Sequence, residues 1–205
     1  MSDFTINTEY QVGDRVKIEF DLSNTAPSGS NKDLFIVAID EVSSGSVWCN
    51  KNMVKHNVDA NDITYGGGAA NTSAIVSHAN HTTSAAKLCN DYTITVSGTA
   101  YNDWYLPNTT EFNLLYNNRV AVDAAITSNS GDIVTLSQTG FNEFVRSSAV
   151  DIINNDSTSY WTSNQDANNT PFAIAKKFTS QDDTEWSRYK EASIKVRAIR
   201  KVSKS

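Results

Sequence analysis

The sequence predicts an α+β domain: strands first, then two helices, then an antiparallel set closed by the C-terminal strand. Three observations carry this reading. LFIVAID at residues 34–40 is a continuous apolar run, the pattern of a strand buried on both faces. Two stretches, 69–92 and 108–116, carry cap residues followed by apolar positions at helical spacing. YWTSNQ, PFAIAKKF and ASIKVRAIRKV then read as strands separated by polar turns. The 205 residues, 39% of them hydrophobic, suit one folded domain or one domain with a small extension.

Taken in order, residues 1–33 form an extended polar prelude. Within it QVGDRVKIEFDL alternates Val12, Val16, Ile18, Phe20 and Leu22 with charged neighbours, a half-buried strand signal. NTAPSGSN at 24–31 is a turn or linker by composition. Residues 34–205 are then the folded domain. After LFIVAID, the SSG at 43–45 predicts a turn and SVWCNKNMV a neighbouring strand. Gly66, Gly67 and Gly68 precede the first helix, where bare amides could cradle a phosphate. No G-K-[ST] follows, so a tight loop is the better reading. In that helix Asn71, Thr72 and Ser73 are cap candidates, and Ile75, Val76, Ala79, Ala86 and Leu88 form an inner face. Thr82 and Thr83 are where it would break in two.

DWYLPNTTEF, residues 103–112, predicts a rigid corner into the second helix. Pro107 keeps Leu106 extended. Asn108 caps, and Glu111 three residues later closes a capping box. Phe112, Leu115 and Tyr116 form the apolar face, with Trp104 and Leu106 placed to pack on the helix start. Residues 127–140 read as a polar connection, and FNEFVRSSAVDIINND as a short amphipathic helix or loop.

Composition adds constraints. There are 22 Asn against 9 Gly and 3 Pro, so Asn is expected to take over turn positions in long surface loops. Such loops suit sugar binding and plain solubility equally. Net charge is -6, yet residues 188–205 hold seven Lys or Arg against Glu191 alone. Because IKVRAIRKV alternates, a strand with a charged outer face is preferred over a nucleic-acid or lipid tail. No run of 18 apolar residues occurs, so no membrane insertion is expected. MSDFTINTEY has neither the basic start nor the apolar stretch of a secretory signal.

Chemistry is sparsely signalled. Cys49 and Cys89 are expected as free buried thiols, with a single bridge left open. His78 and His81 are three apart, but no third ligand is identifiable, so no metal is expected. Asp59, Asp62, Asp182, Asp183 and Glu185 read as turn acids, since the DxDxDG pattern is absent. No nucleophile signature occurs. The expectation is no catalytic residue and no cofactor. Binding has better ground: Trp186 and Tyr189 lie in the polar stretch QDDTEWSRYKE, as on a loop or hairpin. The ligand-binding candidates are Trp186, Tyr189, Asp182, Asp183 and Asn164.

The ordered series NTSAIVSHA, AAKLCNDY, YNDWYLPNTTEFNLLY, YWTSNQ, PFAIAKKF and VRAIRKV resembles the Lcl C-terminal-like domain (DUF1566) of bacterial adhesins and phage structural proteins. The likeness covers about residues 34–202. It implies a C-type-lectin-like fold, a twisted antiparallel sheet with two helices and long loops. On that resemblance Trp104, Leu106, Pro107, Asn108, Glu111, Tyr160, Trp161, Val196, Arg197 and Arg200 are structural motif residues. The Glu-Pro-Asn, Gln-Pro-Asp and Trp-Asn-Asp triplets of calcium-dependent sugar-binding lectins are absent, as are collagen-like repeats.

The resemblance and the absent signal together imply a non-enzymatic phage virion component, a capsid decoration or a tail or head fibre protein. It would assemble in the host cytoplasm. Other virion proteins, met through residues 1–33, are the expected partners, with host-surface glycan and a homo-oligomer as further candidates and no nucleic acid. The alternative is a cellular glycan-binding adhesin module at the cell surface, exported without a classical signal. An enzyme on the same fold is the weakest reading.

Overall fold

The computed structural model describes residues 33–38, 41–96, 99–117, 159–177 and 184–203. It is α+β. The polar prelude before residue 33, the connection at 127–140 and the stretch 141–156 lie outside the described residues.

A five-stranded sheet organises the molecule. Its spatial order is β2 (Ser43–Ser46), β8 (Ile194–Val196), β5 (Ser159–Gln165), β6 (Phe172–Lys177) and β7 (Glu185–Tyr189). Pairing is antiparallel except between β5 and β8, which run parallel where Tyr160 meets Lys195. β1 (Asp33–Val37) and β9 (Ile199–Ser203) form a separate antiparallel pair, and β3 (Ile94–Val96) and β4 (Thr99–Tyr101) a short hairpin. The helices are α1 (Gly67–Ser77), α2 (Ala85–Asp91) and α3 (Thr109–Asn117), with a 3-10 turn at Lys51–Met53.

β5 is the central wall, buried at every position. Side chains alternate across a strand, so Tyr160 and Trp161 enter two different cores. Trp161 joins Trp48, Met53, Ile75, Cys89 and Leu106 on one side, and Tyr160 joins Phe35, Phe112, Leu115 and Ile199 on the other. Both large indoles find carbonyl acceptors as buried Trp requires. Trp161 Nε1 donates to Ser46 O at 2.7 Å and Trp48 Nε1 to Thr162 O at 2.8 Å.

Several expectations need correction. SVWCNKNMV is not a strand beyond Ser46: residues 43–45, expected as the turn, form β2 with Ser46 and pair with β8, and the chain then coils into the 3-10 turn. The stretch 69–92 does break in two, as Thr82 and Thr83 signal, into α1 and α2, separated by residues 78–84. The break falls where Ser84 acts as a fresh N-cap, accepting from Lys87 N at 2.9 Å. The closing strand is also two, because the chain changes sheets at Arg197 and Ala198. There Arg197 turns inward rather than onto a charged outer face: it is fully buried, and its Nη1 donates to Ala38 O at 2.6 Å. Lys190 is likewise interior, with Nζ 4.8 Å from the Trp48 ring centre and 2.9 Å from Gln165 Oε1. Burial pulls the Lys190 ammonium down to about 8.

The motif pieces that lie far apart in sequence are neighbours in space. Arg200 grips Asp103 with two 2.7 Å bonds. Tyr105 and Ile199 exchange backbone bonds at 2.8 and 3.1 Å. Ser163 N donates to Pro107 O at 2.8 Å, tying the corner to β5.

Gly67 and Gly68, the first two residues of α1, sit in tight contacts of different kinds. A Cβ at Gly68 would overlap the Glu111 carboxylate and stand 2.8 Å from Leu106 O and 2.9 Å from Asn108 N, which are backbone atoms. At Gly67 its three nearest atoms would all belong to the Asp62 carboxyl, a side-chain end rather than backbone. Gly68→Ala is therefore expected to destabilise by about 1–3 kcal/mol, and by clearly more than Gly67→Ala, in chemical denaturation of the two variants.

Candidate functional site

The candidate site is the loop from Asn61 to Gly66, and it is built from the inside outward. Its interior half is a knot of buried polar side chains. Asn71, Asn108, Glu111, Ser163 and Asn164 are each nearly or wholly buried, so each must find partners. Ser163 Oγ accepts from Asn71 Nδ2 at 3.1 Å, and the other four find partners on the loop backbone. Asp62 O accepts from Asn71 Nδ2 at 2.8 Å, Asn164 Nδ2 at 3.1 Å and Asn108 Nδ2 at 3.2 Å. Asp62 N donates back to Asn71 Oδ1 at 2.9 Å. Asn108 Nδ2 also reaches Thr64 O at 2.7 Å, and Ala60 O accepts from Gln165 N at 2.9 Å. Gly66 N donates to Glu111 Oε1 at 2.7 Å.

Residues 60, 62, 64 and 66 are thus pinned inward through their backbone. Between them, Ile63 and Tyr65 point out, 59% and 39% exposed. Tyr65 leans toward Phe35, ring centres 6.2 Å apart. Two large apolar side chains are displayed on a backbone that four buried side chains hold.

The electrostatics centre on Glu111. The capping box forms as the spacing implies: Glu111 N donates to Asn108 Oδ1 at 2.9 Å and Asn108 N to Glu111 Oε2 at 2.8 Å. Further donors reach the same carboxylate from Gly66 N, from Gly68 N, and from Tyr105 OH at 3.2 Å. The glycines that open α1 do cradle a carboxyl group, the chain's own Glu111. Burial pushes the Glu111 carboxyl up to about 7, against the downward pull of these donors.

The residues named from sequence fall in different places. Of the loop and the hairpin expected for Trp186 and Tyr189, the structure has the hairpin: both are on β7, paired antiparallel with β6 and at the sheet's edge among the described residues. Its alternating burial puts them on opposite faces, so they do not form one platform. Trp186 is half-buried between Lys177 and Arg188, each 5.7 Å from its ring centre. Tyr189 is 44% exposed and stands edge-on to Phe172. Asn164 is a correction: it is 4% exposed, with Oδ1 accepting from Thr109 N at 2.8 Å, and serves the knot rather than a ligand. Asp182 and Asp183 lie outside the described residues. Of the motif residues, all but the half-buried Arg200 are buried.

Other chemistry is held in structural bonds. Cys49 and Cys89 are free and buried; burial pushes the Cys49 thiol up to about 11 and raises Cys89 as well. Both therefore stay protonated at neutral pH, when a nucleophile would need thiolate. His78 ends α1 and His81 lies in the turn beyond, so the two do not share a helical face. Among the described residues no group of three or more His, Cys, Asp or Glu is placed to hold a metal. Thr64 bonds hold the Asp62 carboxyl below its usual range. Sequence reasoning passed over Ile63 and Tyr65. Their signal was two bulky apolar residues inside a polar stretch just before three glycines.

Glu111 generates a pH prediction. Its pKa is raised on folding, so its contribution to stability is fullest below the unfolded value near 4.5 and is lost as pH rises through about 7. The loss should be on the order of 3 kcal/mol. Urea unfolding of Glu111→Gln should show that slope abolished between pH 5 and 8. The variant should also be less stable by about 1–3 kcal/mol, since an amide N–H would face backbone N–H groups. An unchanged slope would sink this assignment.

Compared with known proteins, the chain matches no family model and no curated protein.

Proposed function

We propose that this chain is a non-enzymatic virion component displaying a C-type-lectin-like domain, and that the loop at 61–66 is its contact surface. One observation carries the contact surface: Ile63 and Tyr65 are exposed on a backbone fixed by Asn71, Asn108, Glu111 and Asn164. A loop already held in one conformation loses little freedom when it binds, and binding loops on rigid scaffolds are where recognition concentrates. Support for the lectin-like architecture comes from the ordered motif likeness, whose pieces meet through Arg200–Asp103, Ile199–Tyr105 and Ser163–Pro107. The virion setting rests on that likeness to adhesin and phage domains.

A second reading, the cell-surface glycan-binding adhesin, is favoured by Tyr189 alone. Its exposed ring, braced edge-on by Phe172, is a surface on which a sugar face could stack. A glycan array comparing the protein with Tyr189→Ala tests it.

The virion reading is tested by mass spectrometry of purified particles, where many copies per particle are expected. Ile63→Ser combined with Tyr65→Ser should leave the fold intact by circular dichroism, because neither side chain is in the core. Particles carrying the double variant should either adsorb to host cells about ten-fold less or incorporate fewer copies, as for loss of hot-spot side chains. Absence of the protein from particles overturns the virion setting. Unchanged adsorption and copy number overturn the loop.

A further inference from the structure

All three histidines of the chain meet at one place, outside the loop just described. The His56 and His78 ring centres are 5.2 Å apart at 54°. Asn80 touches both: its backbone N–H donates to His78 Nδ1 at 3.2 Å, and its Nδ2 lies 3.4 Å from His56 Nε2. An amide side chain can turn round, but a backbone N–H cannot. His78 Nδ1 can therefore accept this bond only while it carries no proton. His81 Nε2 lies 2.9 Å from Ser84 Oγ, the oxygen that caps α2. Asn50 closes the far side. Its N–H donates to Thr83 O, its Oδ1 accepts from Thr82 N and its Nδ2 donates to Asn80 O, each at 2.9 Å.

We infer that residues 78–84 form an acid-released latch, closed while His56 and His78 are neutral and opened when both are protonated. Protonation sets an N–H of His78 against the N–H of Asn80. It also places two like charges at a ring separation of 5.2 Å. The surrounding charge does not relieve them. Lys190 Nζ already donates to His56 O at 3.2 Å, with Cys49 a protonated thiol beside it. Lys51 and Lys55 flank His56 along the chain. On α2, Lys87 faces His81 and holds Asp91 at 2.6 Å, so that acid is engaged. Asp59, on the loop after His56, is bonded by Asn57 at 2.8 Å, and Glu191 follows Lys190 in the chain. The C-terminal end of α1 does favour positive charge at His78, but that helix-end attraction is screened and offers no acceptor to the new N–H. Burial and Lys87 hold His81 below the ordinary histidine range, consistent with a site built for neutral imidazole. Opening would free the Ser84 cap and the first turn of α2.

Hydrogen exchange of the full chain at pH 7.5 and pH 5.0, corrected for intrinsic rates, tests the latch. Peptides covering 78–91 should lose at least about ten-fold in protection at the lower pH, while those from 159–165 keep theirs. In His56→Gln combined with His78→Gln, the Gln oxygens accept at either pH, and protection of 78–91 should become independent of pH. Should the double variant not fold, His78→Gln alone serves, with most of the pH response removed. Equal protection at both pH values in the parent overturns the latch. So does an undiminished response in the folded variant, or a loss shared by 159–165. Glu111 makes the opposite contribution, stabilising the fold toward acid, so a general acid unfolding is distinguishable from this local opening.

Discussion

The carboxylate of Glu111 is the interaction on which the surrounding structure depends. It is 1% exposed and receives the N–H groups of Gly66 and Gly68, the N–H of Asn108 and the hydroxyl of Tyr105. Helix starts leave N–H groups unsatisfied and attract negative charge. Here one carboxyl group serves two helix starts, since Gly66 and Gly68 open α1 while Asn108 and Glu111 open α3. A buried charge is tolerated only when charge-assisted bonds offset its lost hydration. Those bonds need bare backbone at close range, and that requirement explains why Gly68 has room for no side chain.

The amides around this carboxylate do a related task. Asn71 accepts from Asp62 N and donates to Asp62 O, pairing with a peptide group as a strand neighbour would. Aspartate there would set oxygen against oxygen, and Leu would leave Asp62 N without its acceptor, at a cost of about 1–3 kcal/mol. Asn108 and Asn164 add their own donors to the same carbonyl. The abundance of Asn, which composition assigns to surface loops, therefore also supplies an interior backbone clamp.

Local signals in the sequence were legible where both partners lay within a few residues. The Asn108–Glu111 box was readable from spacing, and the Pro107 corner from the restriction Pro imposes on Leu106. The apolar run at residue 34 and YWTSNQ were readable as buried strands. The rest depended on partners far along the chain. Gly66 and Glu111 are 45 residues apart, and Arg197 and Ala38 are 159 apart. An arginine in an alternating strand looks solvated until a bend between two sheets gives it a carbonyl to bond. The split of the first helix was signalled by Thr82 and Thr83, but its fresh cap at Ser84 needed the turn that Asn50 closes. The loop itself escaped notice because its pinning is done by side chains from α1, α3 and β5.

The two ends of this arrangement respond to protons in opposite senses. Glu111 sits in a site whose burial resists ionisation, so rising pH works against the fold there. Around Asn80 the His78 imidazole acts as an acceptor, so falling pH works against the turn. The first group joins α1, α3 and the displayed loop; the second joins the 3-10 turn to the start of α2. Because α1 runs between them, from Gly66 to His78, it is capped by a carboxylate at one end and closed by a histidine at the other. Acid would loosen its far end while keeping its near end, and with it Ile63 and Tyr65, in place. The contact surface and the proton-sensitive turn are thus mechanically separable, although a single helix connects them.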